Sequence, residues 1–71
     1  MRVTDIKISL AAARVNAKLT QDEVSKRLKI SKKTLGNWEN GAAEPSFASL
    51  MALADLYGIP VDNIFLPIKT T

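Results

Sequence analysis

The sequence predicts an all-α domain of five helices, on three observations. Apolar residues recur at helical spacing and nowhere alternate as in a half-buried strand; hydroxyl side chains stand at N-cap positions; glycine or proline follows where the apolar stripes stop. The first helix is expected over residues 5–17, with Ile8, Leu10, Ala11, Ala13 and Ala17 available for an inner face. Thr20 opens the second. Glu23 stands three residues on, the spacing of a reciprocal capping box, and Leu19 and Val24 hold the positions of a hydrophobic staple. Val24 and Leu28 turn one side of that helix inward. The third helix starts at Ser31 and runs to Asn40, with Gly41 as its stop. So tight a connection demands a steep crossing of the second and third helices rather than antiparallel packing. The fourth helix follows Pro45, with Ser46 as cap and Phe47, Leu50, Leu53, Ala54 and Tyr57 as its stripe, and ends at Gly58. A short fifth turn is expected between Pro60 and Pro67, with Val61, Ile64 and Phe65 apolar.

The 71 residues are read as one domain, with its core at about 6–65 and a short tail at 66–71. A chain this short buries only ~60% of the surface its unfolded form exposes, so its core must be used economically. Its 46% hydrophobic and 24% charged residues are those of a soluble globular protein. No segment approaches the ~18 consecutive apolar residues of a membrane span. Residues 8–13 are too short for a signal-peptide core, and Arg14 and Asn16 interrupt them. There is no cysteine and no histidine. That removes disulfides, thiolate or imidazole metal sites, and any Cys nucleophile or His base. With no glycine-rich phosphate loop and no clustered carboxylates, neither an enzyme nor a bound metal or cofactor is expected. A cysteine-free chain suits a reducing cytosol, so a cytoplasmic location is expected.

Charge is distributed unevenly along the chain. Residues 14–33 hold seven cations against two anions, whereas residues 34–71 hold one cation against four anions. A basic half beside an acidic half suggests a face for a polyanion. The third helix carries the clearest signal within the basic half. At ~100° per residue, Leu35, Trp38 and Glu39 fall on one side, while Lys33, Gly36, Asn37 and Asn40 fall on the other. Leu35 and Trp38 are natural core contacts, which makes Trp38 a packing residue rather than a stacking platform. The outer side has no large apolar residue but offers an ammonium and two amides. Lysine can donate to guanine O6 and N7, and asparagine can pair with adenine N6 and N7. Thr34 flanks them with a hydroxyl and a methyl. Lys32 and Lys33 oppose the dipole at the helix start, which local rules disfavour and a polyanion would explain.

Residues 20–41, TQDEVSKRLKISKKTLGNWENG, resemble the helix-turn-helix of the lambda-repressor-like (Cro/C1, XRE) family. The following PSFASLMALADLYGIPVDNIF resembles its fourth and fifth helices, so the likeness runs from about Ile6 to Phe65. Its most specific marks are Gln21 opening the second helix, WENG closing the third, and Pro45, Leu50, Leu53 and Ala54 in register in the fourth. The resemblance implies a five-helix lambda-repressor-like fold with the helix-turn-helix at helices 2 and 3. It implies that Lys32, Lys33, Thr34 and Asn37 face bases in the major groove of double-stranded DNA. Gln21 resembles a phosphate anchor that supports the recognition helix, and Asn40 resembles a residue meeting the DNA backbone after it. Lys18 and Ser31 are expected at phosphates as well. Arg14 and Glu39 match a pair that forms a buried salt bridge between helices 1 and 3 in some members.

Three departures from the family pattern stand out, the mildest being Ser25 in the second helix where a small alanine is common. Lys29 stands at a turn where many members have glycine, and a side chain held there at positive φ costs on the order of 1 kcal/mol. Residues 42–44 lack the basic side chains that some members use on phosphates, which predicts weaker non-specific binding. Gly36, inside the third helix, costs ~1 kcal/mol relative to alanine. A transcriptional regulator, by default a repressor, is the expected function. One module covers a half-site of a few base pairs, so a homodimer on a near-palindromic operator is expected, with the apolar stretch 64–68 available for a dimer contact. The alternative is an antitoxin or adaptor that uses the same fold to grip a protein partner.

Overall fold

A hydroxyl side chain starts each of the four α-helices in the computed structural model, which describes residues 7–66. These are α1 (Leu10–Asn16), α2 (Gln21–Leu28), α3 (Lys32–Asn40) and α4 (Phe47–Tyr57). Ser9 Oγ accepts from the Ala12 N–H at 3.1 Å, Thr20 Oγ1 from Glu23 at 3.1 Å, Ser31 Oγ from Thr34 at 3.0 Å, and Ser46 Oγ from Ser49 at 3.1 Å. Each bond satisfies one backbone donor that the first helical turn leaves without a partner. At α2 the capping box closes in both directions, since the Thr20 backbone N–H donates to Glu23 Oε1 at 2.9 Å. The bonds from Thr20's backbone and hydroxyl hold the Glu23 carboxyl below its ordinary pKa.

Three of the helices also end alike. After α1, Lys18 takes a left-handed backbone (φ 60°), and the Leu19 N–H returns to the Arg14 carbonyl at 3.2 Å. After α2, Lys29 does the same (φ 57°, ψ 43°), with the Ile30 N–H on the Ser25 carbonyl at 3.0 Å. After α4, Gly58 (φ 72°) precedes Ile59, whose N–H meets the Ala54 carbonyl at 3.1 Å. These are Schellman endings: a left-handed residue, then an apolar one that folds back on the helix. Leu19, Ile30 and Ile59 are those apolar residues, and all three pack against the core. Lysine at two of the left-handed positions carries the steric cost that glycine avoids.

Beyond the helices lie two short extended segments, β1 (Ile8–Ser9) and β2 (Ile64–Phe65), paired in parallel with Ile8 opposite Ile64 and Ser9 opposite Phe65. Two expectations are corrected here. The first helix begins at Leu10, because Ser9 caps it and Ile8 is committed to the strand; Asp5 and Ile6 lie outside the described residues. The fifth helix is a single 3₁₀ turn (Val61–Asn63) that runs directly into β2. Two residues are too few for an alternation to be read, and their pairing joins opposite ends of the chain, so neither strand announces itself locally. The expected dimer stretch is divided. Ile64 is buried, Phe65 is half exposed, and Pro67 and Ile68 lie outside the described residues.

The core gathers Leu10 and Ala13 from α1, Val24 from α2, Leu35 and Trp38 from α3, Leu53, Ala54 and Tyr57 from α4, and Ile64 from β2. Leu10, Val24, Leu35 and Leu53 are almost wholly removed from water. Phe47 departs from the expected α4 stripe. It sits on the first turn, past the edge of the packed surface, and is 69% exposed beside Met51 at 51%.

Candidate nucleic-acid interface

The rotation of α3 follows from its two anchors. Leu35 and Trp38 are buried one turn apart, which leaves Lys32 and Lys33 exposed and Thr34, Gly36 and Asn37 half-buried along the flank. Neither lysine, nor the side chain of Asn37, makes a hydrogen bond or ion pair with any other described residue. Their donors and acceptors are thus uncommitted. Lys26 on α2 differs, reaching Asp22 Oδ2 at 3.3 Å on the exposed side of its own helix.

The start of α3 is internally tied. Besides capping Thr34, the Ser31 hydroxyl donates to Thr34 Oγ1 at 2.8 Å, which leaves the Thr34 hydroxyl its own proton to donate elsewhere. At the other end, Asn40 Oδ1 accepts from the Ala42 N–H at 2.9 Å and tightens the turn at Gly41 (φ 83°). The amide nitrogen of Asn40 remains for an outside acceptor. Lys18 is exposed in the turn before α2.

A polar network sits where α1, α2 and α3 meet. Arg14 Nε donates to Glu39 Oε2 at 2.8 Å, and a second guanidinium nitrogen approaches Oε1 at 3.4 Å. Arg14 also donates to the Leu19 carbonyl at 3.0 Å, which ties α1 to the segment leading into α2. Gln21 Nε2 donates to Glu39 Oε1 at 2.9 Å. The sequence places Glu39 on the inner side of α3, but no spacing links it to Gln21. Tyr57 belongs to the same neighbourhood, and its buried hydroxyl has no hydrogen-bonding partner among the described residues. Burial, and secondarily the Glu39 carboxylate, push its pKa up from 10.0 to about 12, with Arg14 pulling the other way.

The α2–α3 surface therefore places outward cations and amides beside a polar seam, which Gln21 joins. Among the described residues no helix is long and apolar enough to cross a membrane, and no cluster of carboxylates could hold a metal ion. Comparison with known proteins bears on the family. A helix-turn-helix family model matches residues 10–64. A protein of Methanocaldococcus jannaschii, named as an uncharacterized HTH-type transcriptional regulator, is 31% identical over 48 residues, which are 68% of this chain and 73% of that protein. No solved structure matches the chain. With most of its length covered by the family model, its four helices in place and that relative at its side, this chain belongs to the helix-turn-helix family of lambda-repressor (Cro/C1) type.

Proposed function

We propose that the protein is a cytoplasmic transcriptional repressor that binds double-stranded DNA sequence-specifically, as one domain over residues 1–71 with its core at about 6–65. In this reading α2 and α3 form the helix-turn-helix. Helix α3 enters the major groove and α2 lies across the phosphate backbone. The observation that carries the proposal is the outer side of α3, where Lys33 is exposed, Asn37 lies half-buried on the flank, and neither side chain has a hydrogen-bonding or ionic partner among the described residues. Lys32, Lys33, Thr34 and Asn37 read base edges, while Lys18, Gln21, Ser31 and Asn40 hold phosphates. Occupying a promoter site blocks polymerase without any chemistry.

A homodimer supplies the specificity that one half-site lacks. Half-sites one duplex turn apart, ~34 Å, would put both copies on the same face of the DNA.

Selection of bound sequences from random duplexes, followed by titration, tests the proposal. Asn37→Ala is expected to cost ~1–3 kcal/mol on the selected site and to relax preference at one position. Lys18→Gly removes a cation and relieves its left-handed backbone; it should weaken all sequences alike and lower the salt slope by about one. Equal losses on selected and random DNA for both variants would refute the assignment.

A further inference from the structure

We infer that Glu39 is a positioning residue for DNA binding: it dictates which end of the Gln21 amide faces it, and so presets the donor that Gln21 offers to a phosphate. The inference rests on the DNA-binding reading above. A carboxylate accepts hydrogen bonds and donates none, so only the NH₂ end of Gln21 can face Glu39 Oε1 at 2.9 Å. One N–H of that nitrogen is then spent on Glu39, and the second N–H of the same nitrogen is left for an outside acceptor. An unrestrained glutamine would present its carbonyl oxygen as readily, and a carbonyl repels a phosphate.

Glu39 can impose this choice because it is itself immobilised. Its side chain is only 7% exposed, and the Arg14 guanidinium grips both its oxygens, at 2.8 and 3.4 Å. Arg14 is fixed in turn by the Leu19 carbonyl at 3.0 Å. The guanidinium also cancels the carboxylate's charge, so Gln21 approaches a phosphate without an uncompensated anion behind it. Gly36 completes the arrangement. A Cβ added there would stand 4.0 Å from Gln21 Nε2, in ordinary van der Waals contact, so this turn of α3 passes close beside the amide. Glycine weakens the middle of a helix relative to alanine.

The test is a double-mutant cycle on the selected duplex, at a temperature where every variant is folded, with Gln21→Ala, Glu39→Gln and the double variant. A charge-assisted contact is worth about tenfold in affinity, so Gln21→Ala should weaken binding by about that factor and Glu39→Gln by a few fold. The double variant should bind no more weakly than Gln21→Ala alone. The free protein gives a second readout, the pair of Gln21 side-chain amide signals in a ¹H–¹⁵N spectrum. The two protons should exchange with solvent at different rates, and in Glu39→Gln that difference should vanish. Additive losses in the cycle, or two amide protons of wild type exchanging equally fast, would overturn the inference. Should Glu39→Gln fail to fold, the wild-type amide pair decides alone. Wild type that ignores DNA entirely would sink the functional reading instead, and would leave the amide signature of the free protein in place.

Discussion

Two seams hold this small fold together, and they use opposite chemistry. Where α4 closes against α1, the contacts are carbon: Leu53 and Ala54 meet the cluster that contains Leu10 and Ala13. Where α1, α2 and α3 converge, a guanidinium, a carboxylate and an amide meet instead. Apolar contact is non-directional and scales with buried area, so the first seam supplies stability while tolerating small rotations. Hydrogen bonds to a charged group are directional, and a buried ion pair is weak evidence for net stability once its desolvation is counted. The second seam is therefore suited to holding α3 at one rotation, as the proposed base-reading face would require.

Substitutions can break that contrast, and the largest effect is expected in the carbon seam. Leu53→Ala removes a side chain with no exposure and should cost about 4 kcal/mol in denaturant unfolding, from lost transfer energy and the cavity left behind. Glu39→Ala leaves Arg14 charged, mostly buried and without its carboxylate, and should cost about 3 kcal/mol. A melting temperature equal to wild type would show that the ion pair does not help hold the helices.

The next two changes sharpen the comparison in the stabilising direction. Tyr57→Phe removes a hydroxyl that is buried beside the polar seam without a partner among the described residues, and should stabilise by about 1 kcal/mol at neutral pH. The same residue gives the seam an alkaline signature. Folding raises the Tyr57 pKa from 10.0 to about 12, so the unfolded chain loses this proton first. Its ionisation therefore has no effect on stability below about pH 10, and stability falls as pH rises from 10 towards 12. The difference between wild type and Tyr57→Phe should widen across that window in parallel melts; a constant difference would mean the hydroxyl titrates normally. The smallest effect belongs to a turn. Lys29→Gly relieves a left-handed side chain but adds freedom to the unfolded chain, for a net gain of about 0.5–1 kcal/mol.

Much of the helical frame is legible residue by residue. Thr20 with Glu23, Ser31 and Ser46 mark three helix starts, Gly41 and Gly58 mark two ends, and the spacing of Leu35 and Trp38 orients α3. The candidate site is legible in the same way as far as the outward position of Lys33 goes, since a residue's face follows from its distance to the nearest core residue. The start of α1 is less so. Ile8 and Ser9 are as compatible with a preceding helical turn as with a strand, and a partner at the far end of the chain settles the matter. Phe47 reads as part of an inner stripe because periodicity alone says nothing of where the packed surface ends.

Local chemistry accounts for the caps, the breaks and the division of α3 into an apolar and a polar side, because each depends on residues within four positions of one another. The parallel pairing of Ile8 with Ile64, the reduction of the fifth helix to one 3₁₀ turn, and the grip of Glu39 on Gln21 belong to another class. The pairing and the grip join groups far apart in the chain, and the turn gives way to that pairing; no periodic pattern encodes a contact that forms only after the helices have packed. Backbone preference and side-chain spacing suffice for the parts; how they meet depends on the closing of long loops around a shared core, and there the polar groups find partners that a linear reading does not assign.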